Sequence, residues 1–177
     1  MTEGSDAPGE PRRAPLVIGV GNRHRHDDAV GLDAAERVRD RLPPGVRVVV
    51  FEGESTGLLD LWSGAGLVVL VDAIAGRGRP GAIHRFEEDF ATFSDVPPPS
   101  STHGLSVTEA WRLGGLLGQR PERLVVFGVE GVEFTPGIGL SPPVAATLDA
   151  VAEAVVLEVT RRSPGNARAA AGRRSDA

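Results

Sequence analysis

The sequence contains no cysteine and no tyrosine, and its 177 residues include only 2 Trp and 6 Phe. Without cysteine there is no disulfide, no thiolate zinc or iron–sulfur site and no cysteine nucleophile. The scarcity of aromatic side chains argues against a platform on which nucleic-acid bases stack. Several kinds of site are therefore excluded before any motif is considered.

An excess of positive charge and a long apolar run are also missing. The chain carries 24 acidic and 19 basic residues, a net charge of −5, whereas a general nucleic-acid binder needs clustered Lys and Arg for its phosphate contacts. No stretch approaches the roughly 18–20 uninterrupted apolar residues that a membrane-spanning helix needs. We therefore expect a cytoplasmic protein with no nucleic-acid partner and no membrane partner.

The apolar residues that are present, 41% of the chain, are enough for one core. A chain of 177 residues fits a single domain. Residues 1–14 are small, charged and rich in Pro and Gly, and residues 163–177 are rich in Arg, Ala, Ser and Gly without a periodic apolar face. We predict that both are disordered tails and that residues 15–162 form one folded domain.

Apolar runs and helical stretches alternate within that domain. Residues 16–20 and 67–71 are short apolar runs, typical of strands buried on both faces. The other predicted strands are 46–51, 81–86 and 123–129, and the predicted helices are 28–42, 57–62, 105–117 and 142–162. This alternation predicts a three-layer α/β/α sandwich with a mostly parallel, twisted sheet of about five strands. Polar and apolar residues alternate in 81–86, which indicates an edge strand that we expect to be antiparallel.

Polar residues stand where an open α/β sheet places its site, beyond the carboxyl ends of the strands. Asp27 and Asp28 follow the first strand, Asp72 comes directly after the apolar run of the third, and His103 lies in a loop before a later helix. Two carboxylates and one imidazole, one from each of these three loop ends, form a mixed oxygen and nitrogen ligand set. Such a set suits a divalent transition ion such as nickel or zinc.

Each of these residues also has a structural interpretation. A carboxylate at a helix N-terminus caps backbone amides, although Asp27 and Asp28 in succession repel each other unless a cation or a shared proton offsets them. Asp72 could cap a turn, but a carboxylate beside a buried strand is costly if it is unpaired. His103 could be an ordinary surface histidine.

The turn after the first strand also carries two of the three glycines of a dinucleotide-binding turn, Gly19 and Gly21. The third glycine is replaced by His24, and the acids that follow would face a bound pyrophosphate. Glu52 ends the second predicted strand, where an acid could bind a ribose. Nucleotide binding therefore stays an alternative.

An ordered set of segments extends across nearly the whole predicted domain. It consists of LVIGVGN at 16–22, DDAVG at 27–31, EGESTGL at 52–58, VDA at 71–73, PG at 80–81, STHGL at 101–105, GVE at 128–130 and LSPPV at 140–144. In this order the segments resemble the hydrogenase maturation proteases, the nickel-dependent endopeptidases that trim the C-terminal tail of the hydrogenase large subunit. The resemblance implies a phosphorylase/hydrolase-like fold.

The resemblance also implies roles for individual residues. Asp28, Asp72 and His103 match the family's metal-binding and catalytic residues, and Asn22 and Asp27 match positions that shape the loop or bind substrate. His24 and His26 fall in a variable part of the family's loop, so we assign neither as a ligand.

This chain departs from the family pattern at three positions. Ala29 stands where many relatives have Gly, and Glu54 and Ser55 replace a common Gly-Thr pair. The latter change alters the charge beside the predicted cleft, which leaves the identity of the substrate partner open.

The expected activity is removal of the C-terminal extension of the nickel-loaded [NiFe]-hydrogenase large-subunit precursor. The resemblance implies that the precursor carries the nickel, so the free enzyme can be without metal. Three mechanisms stay open: recognition of the substrate's nickel, metal-assisted hydrolysis, and acid–base action of Asp28 and Asp72 as in an aspartyl protease. The alternative from another class is a non-catalytic, nickel-dependent chaperone that binds the precursor without cutting it.

Overall fold

The computed structural model describes residues 14–52, 56–75, 78–87 and 107–161. Except for Ala14, the two predicted tails lie outside these residues, and so does His103. Within the described ranges, no helix is long and apolar enough to cross a membrane.

Every predicted helix and strand has a counterpart in the described residues. The strands are β1 (Leu16–Val20), β2 (Arg47–Phe51), β3 (Leu67–Ala75), β4 (Ile83–Glu87) and β5 (Arg123–Gly131). The helices are α1 (Val30–Val38), α2 (Thr56–Trp62), α3 (Val107–Leu117), α4 (Pro142–Ala145) and α5 (Leu148–Thr160). Short 3-10 helices at His26–Ala29 and Arg39–Arg41 flank α1, where the sequence predicted one continuous helix over 28–42.

The five strands form one sheet in the order β2-β1-β3-β5-β4. All neighbouring pairs are parallel except β4 and β5, which are antiparallel, and β4 lies at an edge. The predicted sandwich with one antiparallel edge strand is therefore confirmed.

Side chains on successive strand residues point to opposite faces of the sheet, and each face carries its own apolar core. One face packs against α2 and α3, and its largest buried side chains include Leu16, Ile18, Leu58, Trp62, Leu70 and Leu124. The other face packs against α1, α4 and α5, and includes Val17, Val30, Val71, Phe127, Val144 and Val151. Each such side chain contributes roughly 1.5–3 kcal/mol when fully buried.

Helix α1 packs directly on the backbone of β1 because two glycines meet there. A Cβ on Gly19 would lie 2.1 Å from the carbonyl oxygen of Gly31, and a Cβ on Gly31 would lie 2.2 Å from that of Val20. Neither position has room for a side chain. This close approach holds the 3-10 helix His26–Ala29 over the carboxyl end of β1.

Strand β3 is longer than predicted, and this corrects the placement of Asp72. The sequence placed Asp72 directly after a strand ending at residue 71, whereas β3 continues to Ala75. The reason is the ladder with β5, which pairs residues from Leu67 to Ala75 with Arg123 to Gly131. Asp72 still lies beside the end of β1, because Gly19 pairs with Val71 and β1 ends one residue later.

The predicted C-terminal helix is divided into α4 and α5. The break falls at residues 146–147, where the Thr147 hydroxyl donates a hydrogen bond to the Val144 carbonyl oxygen at 2.8 Å. A β-branched residue whose hydroxyl bonds to a nearby backbone carbonyl favours such an interruption.

Candidate active site

The segment between β1 and α1 folds over the carboxyl edge of the sheet and is held by its own backbone. The Asn22 amide donates to the Asp28 carbonyl oxygen at 3.2 Å, and the Asp28 amide donates to the Arg25 carbonyl oxygen at 3.1 Å. The Asn22 side-chain oxygen accepts a hydrogen bond from the His24 amide at 2.9 Å. Asn22 therefore shapes the loop that carries Asp28, and a contact between Asn22 and substrate stays a prediction.

Asp27 joins this loop to the segment that follows β5. Its side chain is fully buried. Its Oδ2 accepts hydrogen bonds from the Val132 amide, the Glu133 amide and the Ser141 hydroxyl, each at 2.9 Å. Its Oδ1 accepts one from the Ser141 amide at 2.7 Å. Both oxygens are thus engaged within the chain, which supports the loop-shaping role; a role of Asp27 in binding substrate stays a prediction.

The charge state of Asp27 follows from the same contacts. Burial alone would raise the pKa of the carboxyl group, but the hydrogen bonds from the amides of Val132, Ser141 and Glu133 and from the Ser141 hydroxyl lower it further than burial raises it. The net result is a pKa below the usual range, so Asp27 is a carboxylate at neutral pH.

Asp72 and Asp28 are brought together at this edge of the sheet. Burial raises the pKa of Asp72 well above its usual range, the negative charge of Asp28 raises it further, and a hydrogen bond from the Ala73 amide opposes both. Two of the three predicted acid and imidazole ligands therefore lie within electrostatic reach of each other. Such a pair is relieved when one carboxyl group takes a proton or when a cation lies between them.

The third predicted ligand, His103, lies outside the described residues. Among the residues that the structure does describe, no group of three His, Cys, Asp or Glu side chains is placed to hold a metal ion. The complete set of Asp28, Asp72 and His103 therefore stays a prediction, to which the structure contributes the proximity of the two aspartates.

The two histidines of the loop after β1, His24 and His26, have different surroundings. The ring Nδ1 of His26 lies 2.9 Å from the carbonyl oxygen of Gly139, and the His26 amide donates to the carbonyl oxygen of Gly137 at 3.3 Å. His26 also has a left-handed φ of 48°. The side chain of His24 is exposed. His26 thus contributes to the contact between the loop after β1 and the segment after β5, and the exclusion of both histidines from the ligand set stays a prediction.

The glycine turn after β1 packs against the backbone of the loop that carries Asp28, and this packing accounts for its glycine without a bound phosphate group. Gly21 has a φ of 152°, and a Cβ there would lie 1.8 Å from the carbonyl oxygen of Asp28. Glu52, which could have bound a ribose, accepts a hydrogen bond from the Arg23 amide at 3.4 Å and pairs with the Arg23 guanidinium at 3.6 Å. These contacts disfavour the nucleotide-binding alternative.

The structure also joins two residues to which the sequence assigned no role. His84 Nε2 lies 2.6 Å from Glu130 Oε1, and the Arg79 amide donates to Glu130 Oε2 at 3.0 Å. Glu130 is 1% exposed. The only signals in the sequence were the GVE segment at 128–130 and the alternation in the edge strand, and neither indicates that the two side chains meet.

Comparison with known proteins identifies relatives of this chain by sequence and by fold. The family model described as "Hydrogenase maturation protease" matches residues 33–158. The hydrogenase 2 maturation protease of Escherichia coli strain K12 is 30% identical over 146 residues, which are 80% of this chain and 87% of that protein. The solved hydrogenase-maturating endopeptidase HybD from E. coli has a TM-score of 0.66 and 25% identity, covering 82% of this chain and 91% of its own. A solution structure of an endopeptidase from E. coli has a TM-score of 0.73 and 26% identity, covering 84% and 92%.

The fold is therefore that of solved endopeptidases of hydrogenase maturation. The chain belongs to the hydrogenase maturation protease family. It is an endopeptidase that acts in the maturation of hydrogenases.

Proposed function

We propose that this protein removes the C-terminal extension of the nickel-loaded [NiFe]-hydrogenase large-subunit precursor, and that the reaction takes place at Asp28 and Asp72 in the cytoplasm. The observation that carries the proposal is the placement of Asp72, at the carboxyl edge of the sheet, within electrostatic reach of Asp28; burial and the Asp28 charge together raise the pKa of Asp72. Two carboxyl groups this close to each other are suited to a cation or a proton that arrives with the substrate.

The nickel is part of the substrate in this proposal. Carboxylates and an imidazole are suitable ligands for a divalent transition ion, so Asp28, Asp72 and His103 engage the nickel of the precursor and place the scissile peptide bond. A precursor without nickel forms none of these contacts and is not cut.

The two aspartates have further chemical roles beside recognition. The raised pKa of Asp72 makes this carboxyl group hold a proton more readily than an exposed aspartate does, and the negative charge of Asp28 contributes to that shift. One carboxyl group that holds a proton and one that accepts a proton can supply the acid and the base of peptide hydrolysis, as in an aspartyl protease. Asn22 and Asp27 support this pair by holding the loop that carries Asp28.

Cleavage of nickel-loaded and nickel-free precursor tests the proposal. Each form is incubated with the protein, and the mass of the large subunit is measured. We expect loss of the C-terminal extension from the nickel-loaded form only. Equal cleavage of both forms, or cleavage of neither by a folded sample, contradicts the proposal.

The same assay with Asp72→Asn distinguishes the enzyme from a chaperone. Asparagine keeps the shape of the side chain and cannot hold or release a proton. We expect cleavage to be lost while the folded variant still associates with the precursor to a measurable extent. A wild type and a variant that both bind the precursor and do not cut it would indicate the non-catalytic binding module instead, whereas a variant that cuts at the wild-type rate would contradict the role of Asp72.

A further inference from the structure

Between β1 and α1 the chain lies alongside the segment that follows β5, and the two segments are joined through their backbones. Arg25 and Gly137 form a parallel bridge. The Gly137 amide donates to the His24 carbonyl oxygen at 2.9 Å, and the His26 amide donates to the Gly137 carbonyl oxygen at 3.3 Å. Because these bonds use main-chain atoms, they do not depend on which side chain stands at any of the four positions.

His26 adds a side-chain contact to this bridge. A carbonyl oxygen only accepts hydrogen bonds, so the ring Nδ1, 2.9 Å from the Gly139 carbonyl oxygen, is the donor. The ring fills the space beside Gly137, where a Cβ would lie 1.9 Å from Nε2 and 2.5 Å from Cε1. Gly137 does not have a positive φ, so the His26 ring, and not a left-handed backbone, accounts for glycine at this position.

The backbone of His26 turns the chain from the bridge towards Asp28. Its φ of 48° lies in the left-handed region, which is uncommon for a residue with a side chain. His26 is also the first residue of the 3-10 helix His26–Ala29, which carries Asp28. Across this turn the Asp28 amide donates to the Arg25 carbonyl oxygen at 3.1 Å. The direction in which the chain enters Asp28 therefore depends on the conformation of His26.

The ring contacts of His26 explain how its unusual backbone is maintained. A sparsely populated backbone conformation persists only when its surroundings hold it in place, and such residues cluster at active sites. Here the contacts of the ring with Gly137 and Gly139 hold it. A catalytic group displaced by about 1 Å can lose about 100-fold in rate, so the turn that precedes Asp28 has to be fixed.

We propose that His26 is a positioning residue for Asp28. Its ring, packed on Gly137 and bonded to Gly139, fixes the left-handed turn through which the chain places Asp28 at the site. This inference rests on the proposed function, and it gives His26 no contact with the nickel or with the precursor peptide.

Three substitutions separate the ring of His26 from its backbone. His26→Gly keeps the left-handed conformation, which glycine adopts readily, and removes the ring. His26→Asn keeps both features, because asparagine tolerates the left-handed region and its side-chain NH₂ reaches the place of Nδ1. Gly137→Ala keeps His26 and displaces its ring, since the new Cβ would lie 1.9 Å from Nε2.

Two further variants are controls. His24→Gly places a glycine in the same loop at a residue whose side chain is exposed, so it measures the effect of added flexibility alone. Glu158→Gln removes a buried charge in α5, so it measures the effect of lowered stability away from the loop.

Amide hydrogen exchange, followed by NMR at neutral pH, tests the positioning without any substrate. In the wild type the Asp27 amide donates to the Glu133 carbonyl oxygen at 3.0 Å and the Asp28 amide to that of Arg25. Both amides should exchange about tenfold faster in His26→Gly and in Gly137→Ala, because the turn opens more often. In His26→Asn and His24→Gly the exchange should stay within about twofold of the wild type.

Single-turnover cleavage of nickel-loaded precursor tests whether the positioning matters for the reaction. His26→Gly and Gly137→Ala should cut about tenfold more slowly than the wild type, and His26→Asn should restore the rate to within about threefold. Both controls should cut at the wild-type rate. Slow cleavage in the first two variants is then not explained by added flexibility or by lowered stability.

Four results would overturn the inference: unchanged exchange in His26→Gly, faster exchange with an unchanged rate, the same loss of rate in His26→Asn as in His26→Gly, or an equal loss in either control. If His26→Gly or Gly137→Ala does not fold, as judged by thermal melting, the other is compared with His26→Asn. A wild-type protein that cuts no precursor contradicts the proposed function itself, whereas the exchange rates test the turn in either case, so the two failures are distinguishable.

Discussion

Asp27 and Ser141, 114 positions apart in the chain, are joined by two hydrogen bonds. The Ser141 amide donates to Asp27 Oδ1 at 2.7 Å, and the Ser141 hydroxyl donates to Oδ2 at 2.9 Å. Ser141 immediately precedes α4, and Asp27 immediately precedes Asp28. The residue next to the candidate catalytic aspartate is therefore anchored to the C-terminal part of the domain.

Asp27→Asn should lower stability, because one of the two carboxylate oxygens becomes an NH₂ group that faces an N–H or O–H donor. Loss of these buried hydrogen bonds should cost about 2–3 kcal/mol in the free energy of unfolding. Urea titration at pH 7 measures the change. Asp40→Asn is the control, since Asp40 is exposed. An Asp27→Asn variant as stable as the control would show that the anchor contributes nothing.

The stabilising effect of Asp27 should depend on pH. Because the folded-state pKa lies below the unfolded value, the effect is fully present above the unfolded pKa of about 3.9 and is lost as the pH falls through the folded pKa. The difference in stability between the wild type and Asp27→Asn should therefore shrink on acidification below about pH 4. A difference that stays constant from pH 7 to pH 3 would contradict this account.

Asp72→Asn should have the opposite effect on stability and should abolish activity. The folded-state pKa of Asp72 is raised, so the folded protein takes up a proton that the unfolded chain has released, and stability falls as the pH rises from the unfolded pKa towards the folded one. Asparagine does not ionise, so the Asp72→Asn variant does not lose stability in this way as the pH rises. The variant should melt at a higher temperature than the wild type at pH 7, and the gain should disappear below about pH 4.

Activity is the second measurement on this variant. Cleavage of the precursor should fall by at least about 100-fold, in line with the loss of a catalytic acid or base. A variant that is less stable than the wild type at pH 7 would show that Asp72 is not under electrostatic strain in the folded protein.

Glu158 should affect stability without affecting the reaction. Glu158 is 2% exposed in α5 and accepts hydrogen bonds from Arg85 at 2.9 Å and from Arg123 at 2.7 Å. Glu158→Gln should cost about 1–3 kcal/mol, because both arginines lose a buried charged partner. Calorimetric melting gives the change.

Glu153→Gln is the matched control on the same helix. Glu153 pairs with Arg41 at the surface, where an ion pair contributes about 0–1 kcal/mol. Both variants should keep the wild-type kcat per folded molecule. Equal stability of the two variants, or a loss of kcat in Glu158→Gln, would contradict this assignment.

The layers of the fold could be predicted from local patterns. The apolar run of β1, the alternation in the edge strand and the helical spacing before Pro43 each identify an element from its own residues. The length of β3 could not be predicted in this way, because Asp72 and the residues after it are strand-like only through their pairing with β5. The break before α5 does have a local cause, the hydrogen bond from the Thr147 hydroxyl to the Val144 carbonyl oxygen, but a single threonine in an otherwise helical pattern is too weak a signal to predict it.

The candidate site, like the fold, could be predicted only where local patterns place its residues. Asp28 and Asp72 stand at the ends of predicted elements, so the topology of an open sheet places them together. The hydrogen bonds that the Asp27 side chain accepts come from backbone amides more than 100 positions away, which no local pattern indicates. The contact of His84 with Glu130 joins two neighbouring strands whose register the sequence does not reveal.

A double-mutant cycle tests most directly whether Asp28 and Asp72 act as one site. Single-turnover rates of precursor cleavage are measured for the wild type, Asp28→Asn, Asp72→Asn and the double variant, all with nickel-loaded precursor. Residues that act as a unit are not additive, so each single variant should lose at least about 100-fold and the double variant should be hardly slower than either. Single variants that keep their rates within about threefold of the wild type, or losses that multiply in the double variant, would contradict a joint site.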